Sequence, residues 1–164
     1  MPGLAGNHDR QARTDNPELL PGELEWLDSL PESLILEESG QRVLLSHYIY
    51  PDLVGSSMVF VRRQHQLVAA HDLMSREAIN LAFTGHDHPA GAGFAYPAPN
   101  RWTSRYRRAI HYMPFNRYQL DGDRLLCLLP ALATTNSRPG ISVWDTDDHT
   151  LDIIELNHQK EHRP

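Results

Sequence analysis

The nine residues NLAFTGHDH, from Asn80 to His88, indicate a buried strand that ends directly at metal-binding side chains. The apolar run up to Thr84 predicts a strand, and Gly85 then releases the chain into a turn. Histidine is the commonest metal ligand, and open sheets gather ligands at the carboxyl ends of their strands. On a strand His86 and His88 would face one way, whereas on a turn they can contact two different ions. The stretch therefore predicts an α/β fold with a metal site at one edge of a sheet.

Two further segments have the same layout. They are LAGNHD (Leu4–Asp9) and VLLSHY (Val43–Tyr48), in which an apolar run ends in small or polar residues and a histidine. The first also offers the amide oxygen of Asn7, a neutral ligand suited to zinc, manganese or iron. Because the chain has ten histidines, a single His-x-His pair could arise by chance. We base the prediction on the three sites together.

The charge and length of the chain limit the classes of function. With 164 residues and a formal net charge of -6, we expect one domain that repels polyanions, and therefore no nucleic-acid partner. The one basic stretch, RWTSRYRR (Arg101–Arg108), is interpreted as a solvated loop rather than a phosphate-binding one.

The single cysteine and the apolar runs indicate the compartment. Cys127 lies in the apolar run RLLCLLPAL, so we expect a core thiol, no internal disulfide and a reducing environment. No apolar run reaches the roughly 18 residues that cross a bilayer, and the N-terminal residues do not read as a signal peptide. We expect a soluble, cytoplasmic protein with no membrane partner.

The order of the predicted elements supports an α/β domain over residues 1–156 with a polar tail at 157–164. A proline-bearing loop is expected from Tyr48 to about Ser57, a broken helical segment follows, and a Gly/Pro/Ala-rich surface loop is expected from Pro89 to Asn100. The remaining predictions are an amphipathic helix at 22–30, a hairpin at 33–47 turning at Ser39-Gly40, the strand 80–84, a hairpin at 118–129 turning at Asp121-Gly122, and a hairpin at 141–156.

Three short motifs resemble those of a known enzyme family. GNHD (Gly6–Asp9), SH (Ser46–His47) and GHDH (Gly85–His88) are similar, in order and spacing, to the last three motifs of the calcineurin-like metallophosphoesterases. The resemblance covers most of the chain, since the tryptophan-bearing helix and the closing hairpins also suit the family. It implies a sandwich of two mixed β-sheets with flanking helices, and metal-dependent hydrolysis of a phosphomonoester or phosphodiester in a small phosphorylated substrate.

The resemblance also implies a role for each matching residue. Asn7, His47 and His86 would bind one divalent ion and His88 the other, while His8 would stabilise the phosphoryl group and protonate the leaving oxygen. Manganese, iron, zinc or nickel are the metals expected. Two ions close together can polarise a phosphoryl group and activate a water, and an imidazole can deliver the proton.

The chain departs from the family pattern at its N-terminal end. The family places an Asp-x-His and a Gly-Asp motif before the Gly-Asn-His-Asp, whereas only five residues precede Gly6 here. We therefore expect an N-terminally truncated domain with impaired activity, at most about one bound ion, and a homo-oligomer through an uncovered sheet edge. A permuted order, with Asp147-Asp148-His149 supplying the acids, is less favoured than a simple hairpin turn there.

Two alternatives to an enzyme remain open at this point. The chain could be a non-catalytic interaction scaffold of the same fold, as the retromer scaffold subunit is, or a simple metal-binding module. The five ligand-type residues argue against the scaffold, because a purely structural role does not require them.

Overall fold

The structure, a computed structural model of the chain, describes residues 3–50, 61, 63–97, 110–122, 124–132 and 138–156. Within these ranges the side chains of Asn7, His8, Arg10 and Gln64 lie outside the described part. The helices are α1 (Asn7–Asp15), α2 (Pro21–Ser29) and α3 (Gln64–Arg76). The strands are β1 (Ser33–Glu38), β2 (Gln41–Ser46), β3 (Leu81–Thr84), β4 (Ala92–Ala95), β5 (His111–Met113), β6 (Arg117–Gln119), β7 (Leu125–Leu128), β8 (Gly140–Asp145) and β9 (Thr150–Glu155).

The larger sheet is mixed and has six strands in the order β1-β2-β3-β7-β4-β5. Its centre is parallel, because β2 pairs with β3 and β3 with β7 in the same direction. The outer pairs, β1 with β2 and β4 with β5, are antiparallel. Ser46 and Thr84 are register partners at the ends of β2 and β3, so the residues that follow these two strands emerge side by side.

The smaller sheet has the order β6-β9-β8 and is antiparallel throughout. It faces the larger sheet, since Leu151 and Ile153 of β9 pack in one apolar cluster with Phe83, Phe94 and Cys127 of the larger sheet. The opposite face of the larger sheet is covered by α3, whose apolar side chains join β2, β3 and β7 in a second cluster. The two-sheet α/β architecture expected from the sequence is confirmed.

The helices α1 and α2 lie beside this sandwich. An ion pair joins Arg13 of α1 to Asp28 of α2 at 2.7 Å, and the backbone amide of Ala5 donates to the carbonyl of Pro31 at 3.0 Å. The tryptophan-bearing helix is present as predicted, but it buries none of its side chains, and Trp26 is 55% exposed. No helix among the described residues is long and apolar enough to cross a membrane.

The prediction of a surface loop from Pro89 to Asn100 is wrong for its middle part. Residues 92–95 form β4, an interior strand with all four residues buried between β7 and β5. The small residues serve close packing, since a Cβ added at Gly93 would lie 2.8 Å from Ile110 Cγ2 and 3.2 Å from Leu128 Cβ. A composition that normally indicates a loop here permits a crowded strand.

The predicted hairpin across Asp121-Gly122 is also wrong. Gly122 does turn the chain at φ +109, but β6 pairs with β9 in the smaller sheet, while β7 pairs with β3 and β4 in the larger one. The fully buried run of β7 is typical of a parallel interior strand rather than of a half-exposed hairpin arm. The two other predicted hairpins, β1 with β2 and β8 with β9, are confirmed.

The acids at the β8–β9 connection form a turn. The amides of Asp147 and Asp148 both donate to the carboxylate of Asp145, at 3.0 and 3.1 Å. This pattern is the Asx turn of a hairpin, which accounts for these acids without any role in a metal site.

Candidate metal centre

Two of the five candidate residues come together where β2 and β3 end. His47 follows β2 directly and His86 lies two residues after β3, with Nδ1 of His86 3.3 Å from Nε2 of His47. The backbone ties the same two residues, because the amide of His86 donates to the carbonyl of His47 at 3.2 Å. The parallel pairing of the two strands therefore fixes the histidine pair.

The separation of the two imidazole nitrogens fits a shared ion. Nitrogen ligands about 2.1 Å from one tetrahedral ion lie roughly 3.4 Å apart. The observed 3.3 Å matches that spacing. The same distance is also within hydrogen-bonding range, with donor and acceptor set by the tautomers of the two rings.

The N-terminus of α1 abuts the other side of the His47 ring. A Cβ built on Gly6 would lie 3.0 Å from His47 Nδ1, so only a glycine fits at this contact without displacing the ring. Gly6 is the residue before the helix, and Asn7 and His8 are its first two positions. The start of α1, which carries both candidates, therefore lies beside His47, and the side chains of Asn7 and His8 are outside the described part.

Asp9 of the same motif has a structural role that the sequence did not indicate. Its carboxylate oxygen Oδ2 accepts a hydrogen bond from the amide of Gly6 at 2.7 Å. A carboxylate in the first turn also suits the positive end of the helix. Asp9 therefore fixes the start of α1 against His47.

His88 lies two residues beyond His86, half-buried and with φ +45. This left-handed backbone is uncommon for a residue other than glycine and turns the chain sharply after His86. Among the side chains that the structure describes, no group of three or more His, Cys, Asp or Glu residues forms a cluster able to hold an ion. His88 therefore does not form a three-residue metal-binding cluster with His47 and His86.

Tyr48, the residue after His47, belongs to the site although none of the motifs indicates it. Its ring is 7% exposed and contacts both histidines, with centroid distances of 4.7 Å to His47 and 4.6 Å to His86. The cleft around the histidine pair is lined by Tyr48, Ile49, Val61, Thr84 and Asp87. An aromatic residue directly after a strand-end histidine was the only signal in the sequence.

Asp87, between the two histidines of the motif, belongs to the wall of this cleft. It is buried, and its Oδ2 accepts a hydrogen bond from the amide of Val61 at 3.4 Å. The contact joins the turn after β3 to Val61, three residues before the start of α3. Residues 51–60, which include most of the proline-bearing loop expected from Tyr48 to about Ser57, lie outside the described residues, as do Arg101–Arg108 and the tail at 157–164.

Comparison with known proteins identifies a structural neighbour. No model of a known protein family matches the chain, and no curated protein sequence matches it. Among solved structures it is similar to a metallophosphoesterase from Sphaerobacter thermophilus, with a TM-score of 0.67 at 16% sequence identity. The match covers 95% of this chain and 65% of the neighbour, so the chain spans less than two thirds of that protein. At this identity the similarity establishes a metallophosphoesterase-like fold.

Proposed function

We propose that these 164 residues carry the histidine-bearing half of a two-metal phosphoesterase centre. The observation that supports this most is the 3.3 Å approach of His86 Nδ1 to His47 Nε2 beside the first residues of α1. Three features coincide at this place: the spacing of two metal ligands, the N-terminus of a helix and a metallophosphoesterase-like fold. A pair of histidines with a purely structural role would not require any of the three. The reaction proposed is hydrolysis of a phosphomonoester or phosphodiester.

The proposed roles follow the positions of the residues along the motifs. Asn7, His47 and His86 bind one divalent ion, and His88, on the turn beyond, binds the other. His8, in the first turn of α1, donates a proton to the leaving oxygen. When bound, the ions supply Lewis-acid polarisation of the phosphoryl group and a water of lowered pKa.

The substrate class follows from charge and helix geometry. The positive end of α1 lies against His47 and favours an anionic group such as a phosphate. The formal net charge of -6 opposes binding of a long polyanion, so a small phosphorylated molecule is the proposed substrate rather than nucleic acid. The lone cysteine, Cys127, is fully buried in β7, which suits the proposed cytoplasmic location.

The assigned ligands include no carboxylate, and this limits the activity that we propose for these residues alone. The ligands assigned here are neutral, and neutral nitrogen-rich sites favour zinc or nickel over manganese. We therefore propose about one bound ion per chain and a rate of phosphate-ester hydrolysis near background. A segment bearing Asp-x-His and Gly-Asp, placed ahead of Pro2, would supply the bridging carboxylate.

The test compares two variants in such an extended chain, with an aryl phosphate as substrate. His8→Ala should lower turnover by roughly 10²- to 10⁴-fold with nearly unchanged metal content, because a positioned acid is lost but no ligand is. His47→Ala should lose metal and activity together. His111→Ala, an exposed histidine on β5, is the matched control and should change neither.

Three results would contradict the proposal. If His8→Ala and His47→Ala behave alike, the roles are wrongly assigned. Metal binding without any gain of hydrolysis in the extended chain would favour a metal-binding module, and no metal binding at all would favour a scaffold.

A further inference from the structure

We propose that Tyr48 is the positioning residue that holds the imidazoles of His47 and His86 in their metal-binding orientation. The inference rests on the proposed metal site and goes beyond it, because Tyr48 is not one of the proposed ligands and acts only through the two rings that it touches.

The three rings are in mutual contact. Tyr48 meets His47 edge-on, with an interplanar angle of 84°, and lies tilted against His86 at 48°. The ring centroids of the two imidazoles are 5.2 Å apart, and the interplanar angle between them is 65°. Edge-to-face and tilted arrangements at these distances are the favourable ones for aromatic pairs. One side chain therefore contacts both members of the histidine pair at once.

Tyr48 is buried and adjoins the apolar core in sequence. It is 7% exposed, and the next residue, Ile49, is 1% exposed and belongs to the apolar cluster under α3. Val61 lies in the same cluster and closes the cleft wall. Because Tyr48 is buried beside the core, its ring can hold the half-buried ring of His47 in one orientation.

Pre-set ligand orientation has a known consequence for metal affinity. An imidazole that rotates freely about its side-chain bonds loses that freedom when it binds an ion, and a neighbour that has already fixed the ring removes this cost. Outer groups that orient metal-binding histidines typically contribute about 10- to 100-fold to metal affinity. We expect Tyr48 to contribute within that range.

The experiment measures zinc affinity by competition with a chromogenic chelator, and the visible spectrum of bound cobalt, on the 164-residue chain. Tyr48→Leu removes the flat ring but keeps an apolar side chain, and Tyr48→Phe keeps the ring. Tyr50→Leu is the matched control, because Tyr50 packs on the apolar cluster that contains Ile49 but meets His65 edge-on, with centroids 6.4 Å apart, rather than the histidine pair.

The expected result is a loss of affinity of about 10- to 100-fold in Tyr48→Leu, with an altered cobalt spectrum. Tyr48→Phe should restore both readouts, and Tyr50→Leu should leave them unchanged. If Tyr48→Leu binds zinc as well as the original chain does, the positioning role is refuted while the metal site stands. If the original chain binds neither zinc nor cobalt, the proposed function fails and the positioning role fails with it.

A purely structural role of Tyr48 predicts a different pattern. It would lower the thermal stability of Tyr48→Leu and of Tyr50→Leu alike and leave the cobalt spectrum of the folded fraction unchanged. Should Tyr48→Leu not fold, contacts between the Tyr48 ring protons and both imidazoles, measured by NMR in the unaltered chain, decide the question. Contacts to both rings that persist on zinc binding support the role, and their loss on binding overturns it.

Discussion

Replacing Gly6 with alanine should displace His47 and weaken metal binding. The added Cβ would lie 3.0 Å from Nδ1, 3.1 Å from Cε1 and 3.3 Å from Cγ of His47, whereas ordinary contact begins at 3.4 Å. The backbone at Gly6, with φ -113 and ψ -179, accepts alanine without strain, so the effect comes from this contact. The imidazole, or the start of α1, must move by about 0.4 Å.

A movement of this size is large for a metal site. Ligand distances in such sites hold within about 0.2 Å, so a shift of about twice that should lower zinc affinity roughly tenfold, or about 1.4 kcal/mol. Overpacking should also destabilise the fold by about 1 to 3 kcal/mol. Alanine is in addition a poorer residue than glycine before a helix, so affinity and not stability is the deciding readout.

Isothermal titration with zinc measures the effect, and Gly22→Ala is the matched control. A Cβ at Gly22, near the start of α2, would meet nothing within 4 Å. Alanine there should stabilise the helix by up to about 1 kcal/mol and leave zinc affinity unchanged. Equal zinc affinity in Gly6→Ala and in the original chain would refute the placement of α1 against His47.

Three further predictions follow from other parts of the structure. Because burial raises the pKa of the Cys127 thiol far above its usual range, Cys127 should react with a thiol reagent only after unfolding, and rapid reaction in the native state would contradict its place in β7. Thr84→Val should be neutral or stabilising in thermal melts, since the Thr84 hydroxyl is buried with no hydrogen-bond partner among the described residues, and a clear loss of stability would reveal a partner. We also propose that the chain self-associates through β5, the outermost strand of the larger sheet among the described residues, where Tyr112 is 58% exposed; Tyr112→Lys should then shift the sedimentation profile to monomer, and an unchanged profile would exclude this edge.

The strands that could be predicted are those with a local signal. The hairpin of β1 and β2 has a turn at Ser39-Gly40 between two apolar runs, and both turn residues have positive φ. β3 is predictable because its apolar run ends abruptly at Gly85. In each case the pattern lies within one short continuous stretch of the sequence.

The errors arose where tertiary packing decides. β4 contains Gly93, at which Ile110 and Leu128 approach the backbone closely, and no local pattern reveals this contact. The chain between β6 and β7 has the residues of a hairpin turn, yet β6 and β7 belong to different sheets. All four residues of β7 are buried, and this strand pairs with β3 on one side and β4 on the other. Topology of this kind depends on distant partners.

The candidate site shows the same division. The motifs indicated His47 and His86, and parallel pairing of β2 with β3 brings them together. The contact of Tyr48 with both rings depends on how the chain leaves β2, and the carboxylate of Asp9 works through the backbone of Gly6. Residues that orient a metal ligand, such as Tyr48 and Asp9, are therefore harder to predict from the sequence than the ligands themselves.

X-ray absorption at the zinc edge shows whether His47 and His86 share one divalent ion. With one equivalent of zinc, we expect at least two imidazole nitrogens about 2.0 to 2.1 Å from the ion, and loss of that signal in both His47→Ala and His86→Ala. His111→Ala should leave the spectrum unchanged. A spectrum without imidazole scattering, or one that survives in either of the first two variants, would show that the two histidines do not share an ion.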